Sequence, residues 1–114
     1  MLDLAIVNGT AFIEGGFRSA DIGIKNERIV IVAEPGALPE AARTIDTAGK
    51  HILPGGIDTH VHYRDPGHAE RETFAVGTRA AAAGGCTTFF EHPISIPPQY
   101  NAEILHNRMA LCKK

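Results

Sequence analysis

The sequence has no tryptophan, only two cysteines, two methionines and two tyrosines, and aromatic residues fill just 6% of its 114 positions. Each scarcity excludes something. Cys86 and Cys112 stand far apart with no CxxC, so no disulfide framework is present and a reducing cytoplasm is the expected compartment. Apolar stretches fall well short of the ~18–20 residues that cross a bilayer. The opening Met1-Leu2-Asp3-Leu4 lacks the basic stretch and cleavage site of a secretory signal. No membrane association is expected. Eleven Lys and Arg against thirteen Asp and Glu leave a formal net charge of −2. No basic run is long enough to track a phosphate backbone, so nucleic acid is not an expected partner. What remains is an ordinary globular mix, 44% hydrophobic and 21% charged, with twelve glycines and seven prolines that indicate many turns.

Residues 1–53 read as a small β unit. Residues 4–7 are apolar and end in Asn8-Gly9, the strongest two-residue hairpin signal, with residues 10–13 as the return strand. A turn at Glu14-Gly15-Gly16 follows. Residues 20–25 and 29–32 flank Asn26-Glu27 as a second hairpin, 35–39 are loop, and 43–46 form another short strand. The character changes at Pro54-Gly55-Gly56, and residues 54–114 read as β-α-β-α, the grammar of a parallel sheet or barrel. The strands are expected at 57–62 and 86–90. A helix is expected over 70–83, with Glu70 and Glu72 in its first turn and Gly84-Gly85 as its stop. Asn101 caps a second helix over 102–112, with Leu105, Met109 and Cys112 on one face. The fold class is therefore α/β.

The chemistry concentrates in Asp58-Thr59-His60-Val61-His62-Tyr63-Arg64. Side chains on a strand alternate faces, so Asp58, His60, His62 and Arg64 share one face as far as the extended geometry persists. Ionisable groups on a buried strand need partners, and the apolar opposite face suits packing under helices. Two imidazoles at i and i+2 can reach one ion, but zinc takes four ligands, so the pair is half a site. His92, on the loop after the next strand, could lie near them and complete a small zinc-binding module. The blander readings are a chance HxH, an Arg64 paired with Asp65 or Glu70, a His68 paired with Glu70 or Glu72, and a His51 that only packs.

Two stretches, LPGGIDTHVHYRDPG (53–67) and ERETFAVGTRAAAAGGCTTFFEHP (70–93), resemble the start of the barrel in cyclic amidohydrolases, namely dihydroorotases, allantoinases and hydantoinases. That resemblance implies a small N-terminal β unit followed by the first two β/α units of a metal-dependent (β/α)8 barrel. The barrel is incomplete, because a whole one needs roughly 250 residues. By the same resemblance His60 and His62 are ligands of one ion in a binuclear zinc pair, and Arg64 meets a substrate carboxylate. Ser95 is a further expected substrate contact. The family's remaining ligands and its catalytic aspartate come from later strands, so no catalytic residue is expected within this chain. The implied substrate is a small cyclic amide or ureide, and the full-length parent is expected to be a homo-oligomer. Arg64 points toward dihydroorotate. The stretch Pro93-Ile94-Ser95-Ile96-Pro97-Pro98 is closer to the allantoinase pattern. The chain reads as the N-terminal portion of a longer hydrolase, inactive alone. The alternative is a catalytically dead short relative acting as a scaffold.

Overall fold

A computed structural model describes residues 1–113. Two compact units are present, Met1–Pro54 and the residues from Gly55 onward. In the first, strands β1 (Leu4–Ile13), β2 (Gly16–Lys25), β3 (Arg28–Ala33), β4 (Thr44–Asp46) and β5 (His51–Ile52) form one sheet. Its order is β3-β2-β1-β4, with β5 also on β1.

Two tight hairpins set the antiparallel register. Glu14 and Gly15 (φ 53° and 85°) join Ile13 to Gly16, and Asn26 and Glu27 (φ 49° and 61°) join Lys25 to Arg28. Positive φ at both central residues is the turn whose twist matches the flanking strands. The hairpin expected at Asn26-Glu27 is thus observed. The one expected at Asn8-Gly9 is not: β1 runs through both residues, and its register with β2 slips between Ile6 and Gly9. The positive φ of Asn8, 63°, makes a bulge instead of a turn.

A buried carboxylate explains the bulge. Asp21 is 2% exposed. Its Oδ1 accepts from the Asn8 backbone N–H at 3.0 Å, and its Oδ2 accepts from the Gly36 N–H at 2.7 Å. Both oxygens are satisfied by irregular backbone that the ladder leaves free. Gly9 adds a steric condition, since a Cβ there would lie 2.5 Å from both Ile52 Cδ1 and Thr47 Oγ1. The core beside this pin holds Ala11, Ala20 and Ile22, with Ile6, Ile13, Ile24 and Ile52 packed against it.

In the second unit β6 (Gly56–Val61), α1 (Phe74–Ala83), β7 (Cys86–Glu91) and α2 (Ala102–Leu111) follow in order. β6 and β7 pair in parallel across α1, giving the expected β-α-β unit. α1 starts four residues later than expected. Thr73 is its N-cap, with a hydroxyl that accepts from the Val76 N–H at 3.2 Å. Residues 68–72 instead turn around the His68 carbonyl, which accepts from Arg71 and Glu72. Glu70 and Glu72 therefore lie outside the first turn. α2 begins as expected, with Asn101 Oδ1 accepting from the Ile104 N–H at 2.9 Å.

The expectation of a buried strand fails for β6. Every residue of it except Val61 is exposed, Ile57 to 64%. Burial in this unit starts just beyond the strand, at Tyr63, which is 2% exposed and packs its ring on Phe74 and Phe89 at centroid distances of 5.2 and 5.1 Å. Gly77 makes room for it: a Cβ there would sit 2.2 Å from Tyr63 Cε1. No helix among the described residues is long and apolar enough to cross a membrane.

Two stability predictions follow from these contacts. Asp21→Ala leaves the Asn8 and Gly36 N–H groups without their acceptor and is expected to cost about 1–3 kcal/mol in urea unfolding, with Asp21→Asn costing less because one acceptor survives. Gly77→Ala gains ~1 kcal/mol of helix propensity but overpacks Tyr63. A net loss of about 1–2 kcal/mol is expected, and a stabilised variant in the same assay would contradict the clash.

Candidate functional site

Parallel pairing carries the C-terminal ends of β6 and β7 to the same side, with Val61 opposite Glu91. The next residues meet there. The His92 N–H donates to the Val61 carbonyl at 2.8 Å, and His62 Nδ1 lies 2.5 Å from the His92 carbonyl oxygen. A carbonyl can only accept, so Nδ1 carries the hydrogen and Nε2 keeps its lone pair. Asp58 turns back on its own strand, where Oδ1 accepts from the His60 N–H at 3.0 Å.

The ring centroids of His60 and His62 are 4.9 Å apart, with planes at 83°. Two imidazoles sharing one ion at a metal–nitrogen distance of ~2.0–2.1 Å in tetrahedral geometry place their centroids roughly 5 Å apart. The spacing of the pair is therefore compatible with one shared ion. His92 does not join it. Its ring stacks on His60 at 4.1 Å with planes 5° apart. In-plane lone pairs on parallel rings cannot converge on one point. No group of three or more His, Cys, Asp or Glu among the described residues could hold a metal ion. The three-histidine module is thus not formed, and only His60 and His62 keep a spacing that one ion could share.

The shared face expected for Asp58, His60, His62 and Arg64 ends early, because β6 stops at Val61. Arg64 is half-buried beyond it, with a backbone carbonyl that accepts from the His68 N–H at 2.8 Å. Its guanidinium forms no ion pair with Asp65 or Glu70 among the described residues. Ser95 is buried. Its hydroxyl donates to the Pro97 carbonyl at 3.0 Å, and it lines a hollow of about 600 Å³ with Pro93, Ile94, Pro98 and Gln99. His68 pairs with Glu70 at 3.4 Å, and the Phe17 ring packs on His51 at 5.0 Å, as the blander readings held.

Sequence reasoning missed the group that holds the two strand exits together. Arg108 is 3% exposed, the one buried residue of α2. Its Nη2 donates to Glu91 Oε1 at 2.7 Å and to the Tyr63 carbonyl at 3.1 Å. The same Glu91 oxygen accepts from the Tyr63 N–H at 3.3 Å. The guanidinium also lies 5.1 Å from the Phe74 ring centroid. Leu105, Met109 and Cys112 do share one face: all three line a groove of about 180 Å³ with Arg108, Phe74 and Phe89, and all three remain exposed. Burial, with the Glu72 carboxylate second, pushes the Tyr63 phenol above its ordinary range. No periodicity marks a charged pair of this kind, seventeen residues apart in the chain.

The amidohydrolase family model matches residues 51–110, and the chain belongs to the amidohydrolase family. It is 41% identical over 115 residues to an allantoinase of Desulfitobacterium hafniense strain Y51, covering 98% of this chain and 25% of that protein. It is 34% identical over 114 residues to a dihydroorotase of Methanosarcina acetivorans, covering 100% and 24%. Among solved structures it is similar to the L-hydantoinase (dihydropyrimidinase) from Arthrobacter aurescens. There the TM-score is 0.86 at 30% identity, over 98% of this chain and 25% of that one. The chain thus spans about a quarter of the length of these relatives.

Removing one partner of the Arg108–Glu91 pair leaves the other charge buried. Arg108→Ala is expected to cost about 3–5 kcal/mol, whereas Arg108→Met combined with Glu91→Leu should cost far less. Urea unfolding of the two variants separates them, and equal losses would refute the pairing.

Proposed function

We propose that this chain is the N-terminal, metal-binding portion of a zinc-dependent hydrolase that opens a ring C–N amide bond. The observation that carries this reading is the His60–His62 pair at a strand exit, spaced for one shared ion, with His62 Nδ1 committed to a carbonyl. Zinc is the metal this donor set favours: neutral imidazole suits a borderline ion, and no thiolate lies beside it. Bound in the binuclear form the family resemblance implies, zinc supplies Lewis acidity toward a ring carbonyl and a water acidified into a nucleophile.

The chain's own residues do the rest of what this segment can do. His60 and His62 each offer one nitrogen. Arg64, beyond the strand end and without an ion pair among the described residues, offers a planar fork to an anionic or carbonyl group of the substrate. Ser95 supplies hydroxyl lone pairs to the hollow it lines, since its hydrogen goes to Pro97. No general acid or base is assigned here, and the proton transfers belong to residues outside this segment.

For substrate, we favour a five-membered ureide ring, allantoin first. The likeness to allantoinases supports that choice, and Arg64 keeps the carboxylate-bearing dihydroorotate as the second choice. A homo-oligomeric cytoplasmic enzyme is the proposed setting.

Two ligands are half a shell, so the purified 12.2 kDa chain is expected to bind zinc weakly and to open no ring. Equilibrium dialysis should show that weak binding vanishing in His60→Ala and in His62→Ala. Zinc-dependent hydrolysis of allantoin, dihydroorotate or hydantoin by the pure chain would overturn the division of roles.

A further inference from the structure

His92 touches both candidate ligands without converging on their ion. Its backbone is fixed twice, by the N–H bonded to Val61 and by the carbonyl that meets His62 Nδ1. Its ring lies flat on His60, 4.1 Å away with the two planes nearly parallel. We infer that His92 is the positioning residue of the histidine pair: its main-chain carbonyl fixes which nitrogen of His62 faces the site, and its ring braces His60.

The carbonyl arm follows from donor and acceptor chemistry. A neutral imidazole carries one hydrogen on either nitrogen, and the partner of one nitrogen decides the state of the other. The His92 carbonyl selects Nδ1–H, so Nε2 is the nitrogen left to ligate. Such outer partners fix ring orientation and strengthen the ligand. The ring arm follows from exposure. His60 sits on an exposed strand, where nothing apolar encloses its side chain. A free imidazole there would sample several rotamers at an entropic cost on binding. The His92 face restricts it to one orientation, with its plane at 83° to His62 and the centroid spacing suited to one ion.

The two arms separate experimentally because any residue at position 92 supplies a carbonyl, whereas only a flat ring supplies the brace. The inference rests on the metal reading for its affinity consequence alone; the tautomer and the stack belong to the metal-free chain. The test uses the whole 114-residue chain with ¹⁵N-labelled histidine. Long-range ¹H–¹⁵N correlation without metal should show His62 protonated on Nδ1 and bare on Nε2, in the wild type and in His92→Ala alike. His60 should give one sharp pattern in the wild type and an averaged one in His92→Ala.

Cobalt(II) titration then reads the consequence. His92→Ala should weaken binding about tenfold, while His92→Phe, a flat ring with no donor nitrogen, should stay within about twofold of wild type. A wild-type His62 that is averaged or protonated on Nε2 overturns the carbonyl arm, with no substitution involved. Affinity unchanged in His92→Ala overturns the brace. Loss in His92→Phe equal to that in His92→Ala also overturns it, by making His92 a ligand. A chain that binds no cobalt but shows the stated His62 and His60 patterns, with His60 still sharp in His92→Phe, supports the positioning role and sinks the metal reading alone.

Discussion

The guanidinium of Arg108 is the constraint on which the second unit depends. Arginine cannot shed its charge, and burying that charge costs several kcal/mol unless its donors are met. Here one nitrogen meets both the Glu91 carboxylate and the Tyr63 carbonyl, and the Phe74 ring lies 5.1 Å away. Three segments consecutive in space but distant in sequence are thereby tied: α2, the last residue of β7, and the chain just past β6. A helix with no buried apolar residue of its own is held by a charge. Nε and Nη1 of the same group have no hydrogen-bond partner among the described residues. The Coulombic contact with Glu91 and the aromatic face of Phe74 therefore carry the compensation.

The first unit solves a similar problem with the opposite sign. Asp21 is buried and has no cationic partner among the described residues, yet both its oxygens accept backbone N–H groups. Those donors come from the Asn8 bulge and from Gly36, where the ladder has no use for them. In each unit, one buried charged side chain satisfies backbone that regular pairing leaves open. The bulge is thus a designed irregularity: it turns the Asn8 N–H toward Asp21, and Gly9 beside it lets Ile52 and Thr47 come close.

What could be read from the sequence follows from the range of the signals. Local rules worked where the deciding partner is a few residues away. Asn101 caps its helix, Asn26-Glu27 makes its turn, and the β-α-β pattern brings His60 and His62 to the exit of β6. They failed where a distant group decides. Asn8-Gly9 has the φ preference of a hairpin, but Asp21 recruits that preference for a bulge. Glu70 and Glu72 look like a first helical turn, but the cap at Thr73 begins the helix at Phe74. The apolar stripe of α2 lines the groove beside Phe74 and Phe89 as its period suggests, but the residue buried on that same face is Arg108, which the period does not single out. His92 was legible as a neighbour of the pair, since β-α-β geometry sets the two strand ends side by side, but not as a ring stacked on His60, which side-chain packing decides.

The ion pair and the histidine site are mechanically one arrangement. At the end of a strand successive side chains point to opposite sides. Arg108 draws the Glu91 side chain into the buried side, and that orientation delivers the His92 ring to the other. The Tyr63 ring is likewise held inside, by Phe74, Phe89 and the space above Gly77, and its neighbour His62 is delivered outward. The two inward residues share Arg108; the two outward ones share the bond from His62 Nδ1 to the His92 carbonyl. The backbone at the site is therefore tied to a buried contact on the far side of the same two residue pairs, through Arg108, Glu91 and the Tyr63 carbonyl.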